Sequence, residues 1–480
     1  MTLTFEYFPN KKMIRMSGDN FEDIREHFSV KNENAFFMKR FGRGFAPSRI
    51  YAITPTGLFE PGLFYDVMHY IYRTYPEMQF NISDDVKQVC KPELKNALTY
   101  DKLSIQLRDY QKEIVNQAIS FGRGIIKLGT GGGKTLTIAS LLSSFYYSKQ
   151  EKMKCLLVVP DLGLVKQTFD DFNQYGVPFK ITKWTGSIDP DLTSNVIIAN
   201  MGVIQSRYGD EKWIEDVDML VVDECHKLKK GNKICKVISK IKTFHKYGLT
   251  GTLPDSKIDE WNIKGKIGNV FYEKNSFELR IENYLANAEI KIIEIKYATK
   301  PVANPTVNDF RNELDFIYKS KFRNEIIKAV SLKCNNNVLI LVNHIAHGDE
   351  LYQYLESKLP ERKVYFIRGE VDVDERARVI KEMEKNNNVV CVAISAIFST
   401  GVNIKNLHMI VFAAGGKSFI RTIQSIGRGL RLNPNKEKLV IIDLADQLEY
   451  SKSHADRRQE IYVQEKIQFK TGSIVEKTIA

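Results

Sequence analysis

Cysteine and histidine are scarce in this sequence, and neither occurs in a spacing that holds a metal or a disulfide framework. The six cysteines are far apart and form no C-x-x-C pair, which excludes a zinc knuckle and a disulfide scaffold and favours a reducing compartment. Of the eight histidines, the closest pair is His344 and His347, with no cysteine or third histidine beside it. We therefore expect no zinc and no disulfides.

Long apolar segments are also missing. No apolar run approaches the ~18–20 residues that a membrane span requires. Near the N-terminus, Glu6, Lys11 and Lys12 stand where a signal peptide would need an apolar stretch. The sequence therefore predicts a soluble cytoplasmic protein without a membrane partner.

The chain has 480 residues, too many for one ordinary core, which predicts two to four domains. Its composition, 43% hydrophobic and 27% charged, is that of a globular protein. Seventy Lys and Arg against 58 Asp and Glu give a formal net charge of +12. This surplus suits a polyanionic partner such as nucleic acid, although solubility alone would also explain it.

Two blocks of short apolar runs alternate with helical segments, a pattern typical of strands buried on both faces of a parallel sheet. The runs are residues 124–128, 155–160, 195–199, 219–223 and 245–250 in the first block, and 338–342, 363–367, 389–394, 409–412 and 439–443 in the second. Two such blocks predict two α/β lobes of similar size. We interpret the polar stretch at about 285–325, with Pro301 and Pro305, as a hinge.

The first hundred residues differ from the rest, because their aromatics, Pro–Gly turns and hairpin pattern indicate a small α+β module. The predicted fold class is therefore α/β, with two tandem parallel-sheet lobes preceded by a small α+β domain. The predicted domains are residues 1–100 for the accessory module, 101–290 for the first lobe, 291–450 for the second lobe with its hinge, and 451–480 for a C-terminal helix and tail. The amphipathic pattern of that helix predicts packing on the second lobe.

A glycine-rich loop follows the first run of the first block and precedes a predicted helix. Glycines let backbone N–H groups converge on phosphate oxygens, and the helix N-terminus adds favourable partial charge. The predicted phosphate-binding residues are Gly129, Thr130, Gly131, Gly132, Gly133, Lys134 and Thr135. We expect Lys134 to contact the β- and γ-phosphates of ATP and the Thr135 hydroxyl to hold Mg²⁺. Leu128 stands where the strict pattern has a glycine.

Another apolar run ends in the sequence Asp223-Glu224-Cys225-His226. Carboxylates at the carboxyl end of a parallel strand lie where ligands bind in open α/β sheets. We predict that Asp223 binds Mg²⁺ and that Glu224 polarises the attacking water as general base. His226 is a candidate link between the γ-phosphate and a nucleic-acid site. The alternative is an acidic strand end that only caps the next helix.

These motifs, in this order, resemble those of the superfamily 2 helicases and translocases of the DExH type over residues 105–445. The resemblance implies two RecA-like lobes that bind ATP and Mg²⁺ and move on nucleic acid. Residues 107–111 resemble the adenine-recognising motif of that family. This implies nucleotide contacts by Arg108 and Gln111.

Further segments extend the resemblance. Residues 158–167 resemble a strand-contacting motif, 249–252 the motif that couples hydrolysis to movement, and 399–403 a contact motif of the second lobe. The resemblance implies nucleic-acid contacts by Pro160, Gln167 and Thr400 and nucleotide contacts by Gly401 and Asn403. Departures from the family pattern are Asp161, Asn200, Gly202 and Asn403, which affect individual strand contacts and not the ATPase centre.

Residues 424–431 match the family pattern Q-x-x-G-R-x-x-R. Phosphoryl transfer spreads negative charge over the γ-phosphate oxygens, and arginines from a facing lobe stabilise that charge. Arg428 and Arg431, three residues apart, would share one face of a helix. The resemblance implies catalytic roles for Gln424, Arg428 and Arg431, whereas an isolated Arg-x-x-Arg would more often be a solvated helix face.

The N-terminal module has a closer resemblance, to phage recombination helicases of the UvsW type, which remodel branched DNA. Residues 36–63 resemble the small domain that precedes the motor in that group. Residues 31–49 hold five basic residues and one acidic residue, a local net charge of +4. Basic side chains among aromatics suit phosphate contacts and base stacking. The predicted DNA contacts are Lys39, Arg40, Arg43 and Arg49, and the alternative is that the aromatics form a small core beside solvated arginines.

Together these features predict an ATP- and Mg²⁺-dependent DNA helicase or translocase. The expected partner is DNA that is forked, branched or duplex with single-stranded segments, and the expected state is a monomer in the host cytoplasm of a phage. Branch migration would serve recombination, repair and replication. The alternatives are an RNA helicase and the translocase motor of a restriction-type complex, the latter disfavoured because no nuclease motif is found in the remaining residues.

Overall fold

The structure is a computed structural model that describes most of the chain. The described residues are 1–32, 47–129, 131–207, 211–282, 284, 287–299, 301, 309–368, 373–395, 406–413, 438–464 and 467–477. The chain divides into two units. Met1–Leu128 and Gly133–Lys274 form the first unit, and Gly129–Gly132 and Asn275–Ala480 form the second.

The N-terminal module opens the first unit. Its elements are β1 (Thr2–Phe8), β2 (Met13–Gly18), α1 (Phe21–His27), β3 (Ser29–Lys31), β4 (Arg49–Tyr51), β5 (Leu58–Phe59), α2 (Phe64–Thr74), β6 (Gln79–Ile82) and α3 (Asp84–Cys90). Leu3 and Phe5 alternate with more exposed residues in β1 and are fully buried, as the two-residue period of a strand requires. The sheet order is β5-β2-β1-β6, in which β1 pairs antiparallel with β2 and parallel with β6. The module is therefore α+β, as predicted.

A seven-stranded parallel sheet forms the first lobe. Its elements are α4 (Asp109–Phe121), β7 (Gly124–Leu128), α5 (Lys134–Ser148), β8 (Cys155–Val159), α6 (Leu162–Tyr175), β9 (Ile181–Trp184), β10 (Val196–Asn200), α7 (Met201–Arg207), β11 (Met219–Asp223), α8 (Lys233–Lys240), β12 (Lys246–Thr250), α9 (Lys257–Ile267) and β13 (Val270–Lys274). The strand order is β13-β7-β12-β11-β8-β10-β9. The five predicted strands are confirmed, whereas β9 and β13 were missed because these edge strands are only partly buried and lack an apolar run.

A second seven-stranded parallel sheet forms the second lobe. Its elements are α10 (Ser276–Ile281), β14 (Asn287–Lys296), α11 (Asp309–Lys319), α12 (Lys321–Leu332), β15 (Val338–Val342), α13 (Ile345–Lys358), β16 (Lys363–Ile367), α14 (Val373–Lys385), β17 (Val389–Ile394), β18 (Met409–Phe412), β19 (Lys438–Asp446), α15 (Glu449–Gln464) and β20 (Phe469–Val475). The strand order is β16-β17-β15-β18-β19-β14-β20. The predicted pair of α/β lobes is therefore confirmed.

Two strands of this sheet lie where a hinge and a tail were expected. β14 falls within the stretch interpreted as a hinge, yet it pairs in parallel with both β19 and β20. β20 follows the C-terminal helix and is exposed along nearly its whole length. β14 mixes isoleucines with charged residues, and β20 is an exposed edge strand, so neither has the continuous apolar run that marks the other strands.

Buried ion pairs attach helices to β19. Arg458 on α15 donates to Asp443 at 2.7 Å, and the Tyr462 hydroxyl donates to the same carboxylate at 2.9 Å. Arg323 on α12 donates to Asp446 at 2.9 Å. The C-terminal helix therefore packs on the second sheet, as predicted.

Charged contacts attach the N-terminal module to the first lobe within the first unit. Lys264 pairs with Asp66 at 2.9 Å, and Lys266 pairs with Glu60 at 2.8 Å. The buried guanidinium of Arg123 donates to three backbone carbonyls, one in α3 and two in α9. The module and the lobe thus share buried hydrogen bonds and belong to one compact unit.

Among the residues that the structure describes, no helix has the length and apolar character needed to cross a bilayer. The six cysteines are free, and all except Cys334 are buried. Burial raises the pKa of Cys90 and Cys391 to about 12, so neither thiol ionises at neutral pH.

Candidate functional site

The glycine-rich loop connects β7 to α5, as the sequence predicts. Gly131 and Gly133 have positive φ angles of 84° and 75°, which an L side chain adopts only with strain. A Cβ atom at Gly133 would also lie 2.4 Å from the amide nitrogen of Gln111. Lys134 is the first residue of α5, so its backbone lies at the positive end of the helix dipole. This is the local geometry of an anion-binding loop.

The acidic motif begins at the carboxyl end of β11, two strands away from β7 in the same sheet. Glu224 has φ 50° and ψ 48°, a left-handed conformation that is uncommon and costly for this residue type. It brings the Glu224 Oε1 atom to 3.4 Å from the Nζ atom of Lys134. The two side chains are 16% and 14% exposed, so both remain accessible to a ligand.

His226 connects this carboxylate to the neighbouring strand β12. Its Nδ1 atom lies 3.3 Å from Glu224 Oε2 and 2.9 Å from the hydroxyl oxygen of Thr250. The Thr250 hydroxyl donates to the carbonyl of Thr252 at 2.7 Å, so its oxygen accepts from His226. The network therefore places the His226 proton on Nδ1. Lys134, Glu224, His226 and Thr250 form one chain of polar contacts.

The two adjacent carboxylates differ in their electrostatic environment. Burial, and then the charge of Glu224, raises the pKa of Asp223 above its ordinary value. Burial alone would raise the pKa of Glu224 as well, but Lys134 and His226 outweigh it and lower that pKa. Glu224 is therefore ionised at neutral pH, and Asp223 is the carboxylate that an added cation would stabilise most.

Gln111 and Arg108 lie at the start of α4, next to the glycine loop. The Gln111 side chain is buried, accepts a hydrogen bond from the Arg108 backbone at 3.0 Å and donates to the Gly133 carbonyl at 3.3 Å. The Arg108 guanidinium donates to the hydroxyl of Tyr110 at 2.9 Å. The sequence predicted nucleotide contacts for both residues, but it gave no sign that Gln111 supports the loop, because the two residues in contact are far apart in the chain.

The predicted strand-contacting residues follow β8. Pro160 is half-buried directly after this strand, and Gln167 is half-buried on α6. Asp161, a departure from the family pattern, is the N-cap of α6 and accepts from the Leu164 backbone at 3.1 Å. The aspartate therefore caps the helix that follows the predicted strand-contacting strand end.

Arg49 is the only predicted DNA contact of the N-terminal module within the described part of the chain. Its guanidinium lies 2.7 Å from Glu26 and donates to the Ser29 hydroxyl at 2.8 Å. The side chain is 40% exposed, so it is accessible although it is already paired.

Many predicted site residues lie outside the described residues, in the N-terminal module, the glycine loop and the second lobe. They are Lys39, Arg40, Arg43, Thr130, Thr400, Gly401, Asn403, Gln424, Arg428 and Arg431. Their predicted roles remain predictions.

Two family models match the chain, and together they cover more than half of it. The first, described as "Type III restriction enzyme, res subunit", matches residues 104–255. The second, described as "Helicase conserved C-terminal domain", matches residues 319–433. The first match includes the glycine loop and the acidic motif.

Known proteins are similar over most of the chain. The ATP-dependent DNA helicase uvsW of Enterobacteria phage T4 is 27% identical over 449 residues, which are 90% of this chain and 88% of that protein. The DNA 3'-5' translocase XPB2 of Sulfurisphaera tokodaii is 25% identical over 416 residues, which are 78% of this chain and 88% of that protein.

The solved structures support the fold. The fragment structure of a putative HsdR subunit of a type I restriction enzyme from Vibrio vulnificus YJ016 has a TM-score of 0.60 and 17% identity. The aligned region covers 83% of this chain and 75% of the Vibrio vulnificus chain. The chain belongs to the superfamily 2 helicases of the DExH type, is related to phage helicases of the UvsW type, and is an ATP-hydrolysing enzyme.

Proposed function

We propose that this helicase uses Mg²⁺ and ATP to remodel branched DNA, at forks and junctions. The contact chain from Lys134 through Glu224 and His226 to Thr250 is the observation that carries the proposal, because it joins a phosphate-binding lysine to the strand end of the coupling motif. The similarity to the T4 DNA helicase over 90% of the chain supports DNA as the substrate.

Lys134 and the loop glycines bind the triphosphate in this proposal. The Lys134 ammonium lies 3.4 Å from Glu224, a loose contact that a phosphate can replace. Transfer of the lysine to the β- and γ-phosphates leaves the Glu224 carboxylate free to accept a proton from water. Arg108 and Gln111 bind the base, and Gln111 links that contact to the loop through Gly133.

Thr135 and Asp223 fit a magnesium ion. A hydroxyl and a carboxylate are the oxygen ligands that Mg²⁺ takes from protein when phosphates and waters complete its shell. Burial and the charge of Glu224 raise the Asp223 pKa, and a divalent cation would relieve that charge repulsion. When bound, Mg²⁺ neutralises charge on the phosphate oxygens. Among the described residues, no group of three or more His, Cys, Asp or Glu side chains could hold a metal without such help.

Glu224 is the proposed general base, and His226 and Thr250 are the proposed link from hydrolysis to movement. The Glu224 carboxylate is ionised, so it can orient the attacking water. When Lys134 moves to the phosphates, the charge that lowers the pKa of Glu224 most is removed, and the carboxylate becomes a stronger base. Arg428 and Arg431 stabilise the transition-state charge in this proposal, and Gln424 assists them. Gly401 and Asn403 complete the nucleotide contacts.

The DNA contacts in this proposal are mainly to the phosphate backbone. They involve Lys39, Arg40, Arg43, Arg49, Pro160, Gln167 and Thr400. Because such contacts release counterions, binding would be largely independent of sequence and would weaken steeply with salt.

An assay of ATPase and strand separation across single-stranded, duplex, forked and four-way DNA tests the proposal. We expect the fork and the four-way junction to give the largest rates of hydrolysis and strand separation. A Lys134→Ala variant should lose hydrolysis while it retains DNA binding. Equal stimulation by all four DNA forms would contradict the branched-DNA assignment.

Two other outcomes would favour different functions. Stimulation by RNA and not by DNA would indicate an RNA helicase. Movement along duplex DNA without strand separation would indicate a translocase motor of the restriction type. The match of residues 104–255 to the restriction-subunit family favours including this second assay.

A further inference from the structure

A groove runs between the N-terminal module and the first lobe, inside the first unit. Its volume is about 830 Å³, and its walls are the start of α2, the end of α3 and the segment that leads into β12. His245 lines the groove just before β12, whereas Thr250 ends the same strand at the nucleotide site. Five residues of strand, about 16 Å, therefore separate the two places. The groove lies at the amino ends of the strands, away from the edge that carries the ATP motifs.

Basic side chains dominate the groove and its continuation past Phe244. Lys87, Lys91 and Lys95 line the groove together with one carboxylate, Glu93. The continuation is a cavity of about 20 Å³, whose charged lining residues are Lys12, Glu60, Arg123, Lys242, Lys246 and Lys266. Three of these eight basic residues pair with carboxylates, and two more, Arg123 and Lys246, are buried and donate to backbone carbonyls. A surplus of positive charge remains, which is complementary to a chain of phosphates.

Two aromatic side chains line the groove beside these lysines. Tyr65 lies on the first turn of α2, lines the groove and is 42% exposed. Phe244 lines the opposite wall and is half-buried. Lysines that follow a phosphate backbone beside aromatic rings that stack on bases are the features of a single-strand site. In a duplex the bases are stacked inside, so an aromatic ring at the rim of a groove could not reach their faces.

We propose that this groove binds a single-stranded segment of the DNA substrate, as a second contact separate from the ATP-dependent motor. The proposal rests on the proposed function, because a fork or junction under remodelling carries such a segment. Lys87, Lys91 and Lys95 bind successive phosphates, and Tyr65 stacks on a base.

The salt dependence of binding tests the phosphate contacts. The variant is Lys87→Gln/Lys91→Gln/Lys95→Gln, and the matched control is Lys333→Gln/Lys358→Gln/Lys385→Gln, three exposed lysines of the second unit. The affinity for a fluorescein-labelled oligothymidylate is measured against salt concentration. Loss of three phosphate contacts should lower the slope of log K against log salt by about 2, since each contact contributes about 0.7. The control should keep the wild-type slope.

Photocrosslinking tests the stacking contact. An oligothymidylate with 5-iodouracil should crosslink to Tyr65, and Tyr65→Leu should remove that crosslink. Tyr72→Leu is the matched control, because Tyr72 lies on the same helix and is 57% exposed but does not line the groove. Hydrolysis of ATP without DNA should be equal in all variants, which excludes a misfolded motor.

The possible outcomes distinguish failure of the groove proposal from failure of the proposed function. If the wild type binds the oligothymidylate and the groove variant keeps the same salt slope as the control, the groove proposal is wrong and the proposed function stands. If the wild type does not bind DNA at all, the proposed function fails and the groove proposal fails with it. A crosslink that persists in Tyr65→Leu would also overturn the stacking contact.

Discussion

In both parallel sheets, carboxylates lie near the carboxyl ends of the strands. The basic side chains that pair with these carboxylates differ in distance and in burial between the two sheets. In the first sheet, Glu224 lies 3.4 Å from Lys134, and both side chains are partly exposed. In the second sheet, Asp443 lies 2.7 Å from Arg458, and both side chains are 1% exposed. A loose, accessible pair can exchange its partner for a ligand, whereas a tight, buried pair holds helix to strand. We therefore propose that similar strand-end carboxylates serve catalysis in the first lobe and structure in the second.

The second sheet contains another buried aspartate that is paired with an arginine and a tyrosine, which strengthens this contrast. Asp446 accepts two hydrogen bonds from Arg323 and one from the hydroxyl of Tyr297. Asp443 likewise binds an arginine and a tyrosine. Such saturated groups have no free oxygen to offer a substrate, and breaking one leaves a buried charge without compensation.

The sharpest way to break the comparison is Glu224→Gln. The amide cannot accept the proton of water, so we expect ATP turnover to fall by about 10²–10⁴ while ATP affinity is retained. Steady-state hydrolysis and nucleotide binding by calorimetry would measure the two effects. Glu273→Gln is the control, because Glu273 pairs with Lys127 at the opposite side of β7 and is 53% exposed. Near-normal turnover in Glu224→Gln would refute its role as base.

Arg458→Met tests the structural half of the comparison. Removal of the guanidinium leaves Asp443 buried with its tyrosine alone, so the second unit should lose about 3–5 kcal/mol of unfolding free energy. Urea denaturation would measure the unfolding free energy, and amide hydrogen exchange of β19 would show whether the loss is in the second unit. Arg457→Met, on the same helix but 55% exposed, should change stability by less than about 1 kcal/mol. The double variant Arg458→Met/Asp443→Leu should regain much of the loss, and failure to regain any would indicate a packing defect instead.

Lys246 provides a third case, a buried amine held by two backbone carbonyls. Its ammonium donates to the carbonyls of Ile238 and Ile241, and burial followed by the charge of Arg123 lowers its pKa to about 7. Between about pH 7 and 10.5 the unfolded chain therefore binds the proton more tightly than the folded chain. Stability should rise with pH across this window.

The measurement for Lys246 is the unfolding free energy of the wild type and of Lys246→Met at pH 7 and pH 10. The wild type should gain more stability than the variant over this interval, because methionine has no proton to release. Equal gains in the two proteins would show that folding does not lower the pKa of Lys246.

Sequence reasoning succeeded where one local pattern decided the structure. The continuous apolar runs of β7, β11 and β15 gave their bounds without error, because a strand buried on both faces needs nothing else. It failed at β14 and β20, whose place in the sheet depends on pairing with each other and with β19. Pairing between distant segments leaves no signature in a short window.

The same limit applies to the site. The glycine loop and the acidic motif could be predicted because their chemistry needs adjacent residues of fixed type. The contact of Gln111 with Gly133 and that of His226 with Thr250 could not, since each joins residues more than twenty positions apart. The groove beside Tyr65 was missed for the same reason, because its walls come from separate segments of the first unit.

Thr250→Val gives the smallest expected effect and tests the link between the site and movement. Valine has the shape of threonine but no hydroxyl, so His226 keeps only its contact with Glu224. Valine removes two hydrogen bonds, the one from His226 and the one to the Thr252 carbonyl. Loss of the bond to His226, worth about 0.5–1.5 kcal/mol, should lower ATP turnover by a factor of roughly 2–10. Strand separation should fall further than hydrolysis, because Thr250 belongs to the segment that resembles the coupling motif and contacts His226 of the acidic motif. The ratio of base pairs opened to ATP consumed measures this, with Thr185→Val as the control, because Thr185 is a buried threonine directly after β9. An unchanged ratio would mean that the Thr250 contact orients His226 without transmitting hydrolysis.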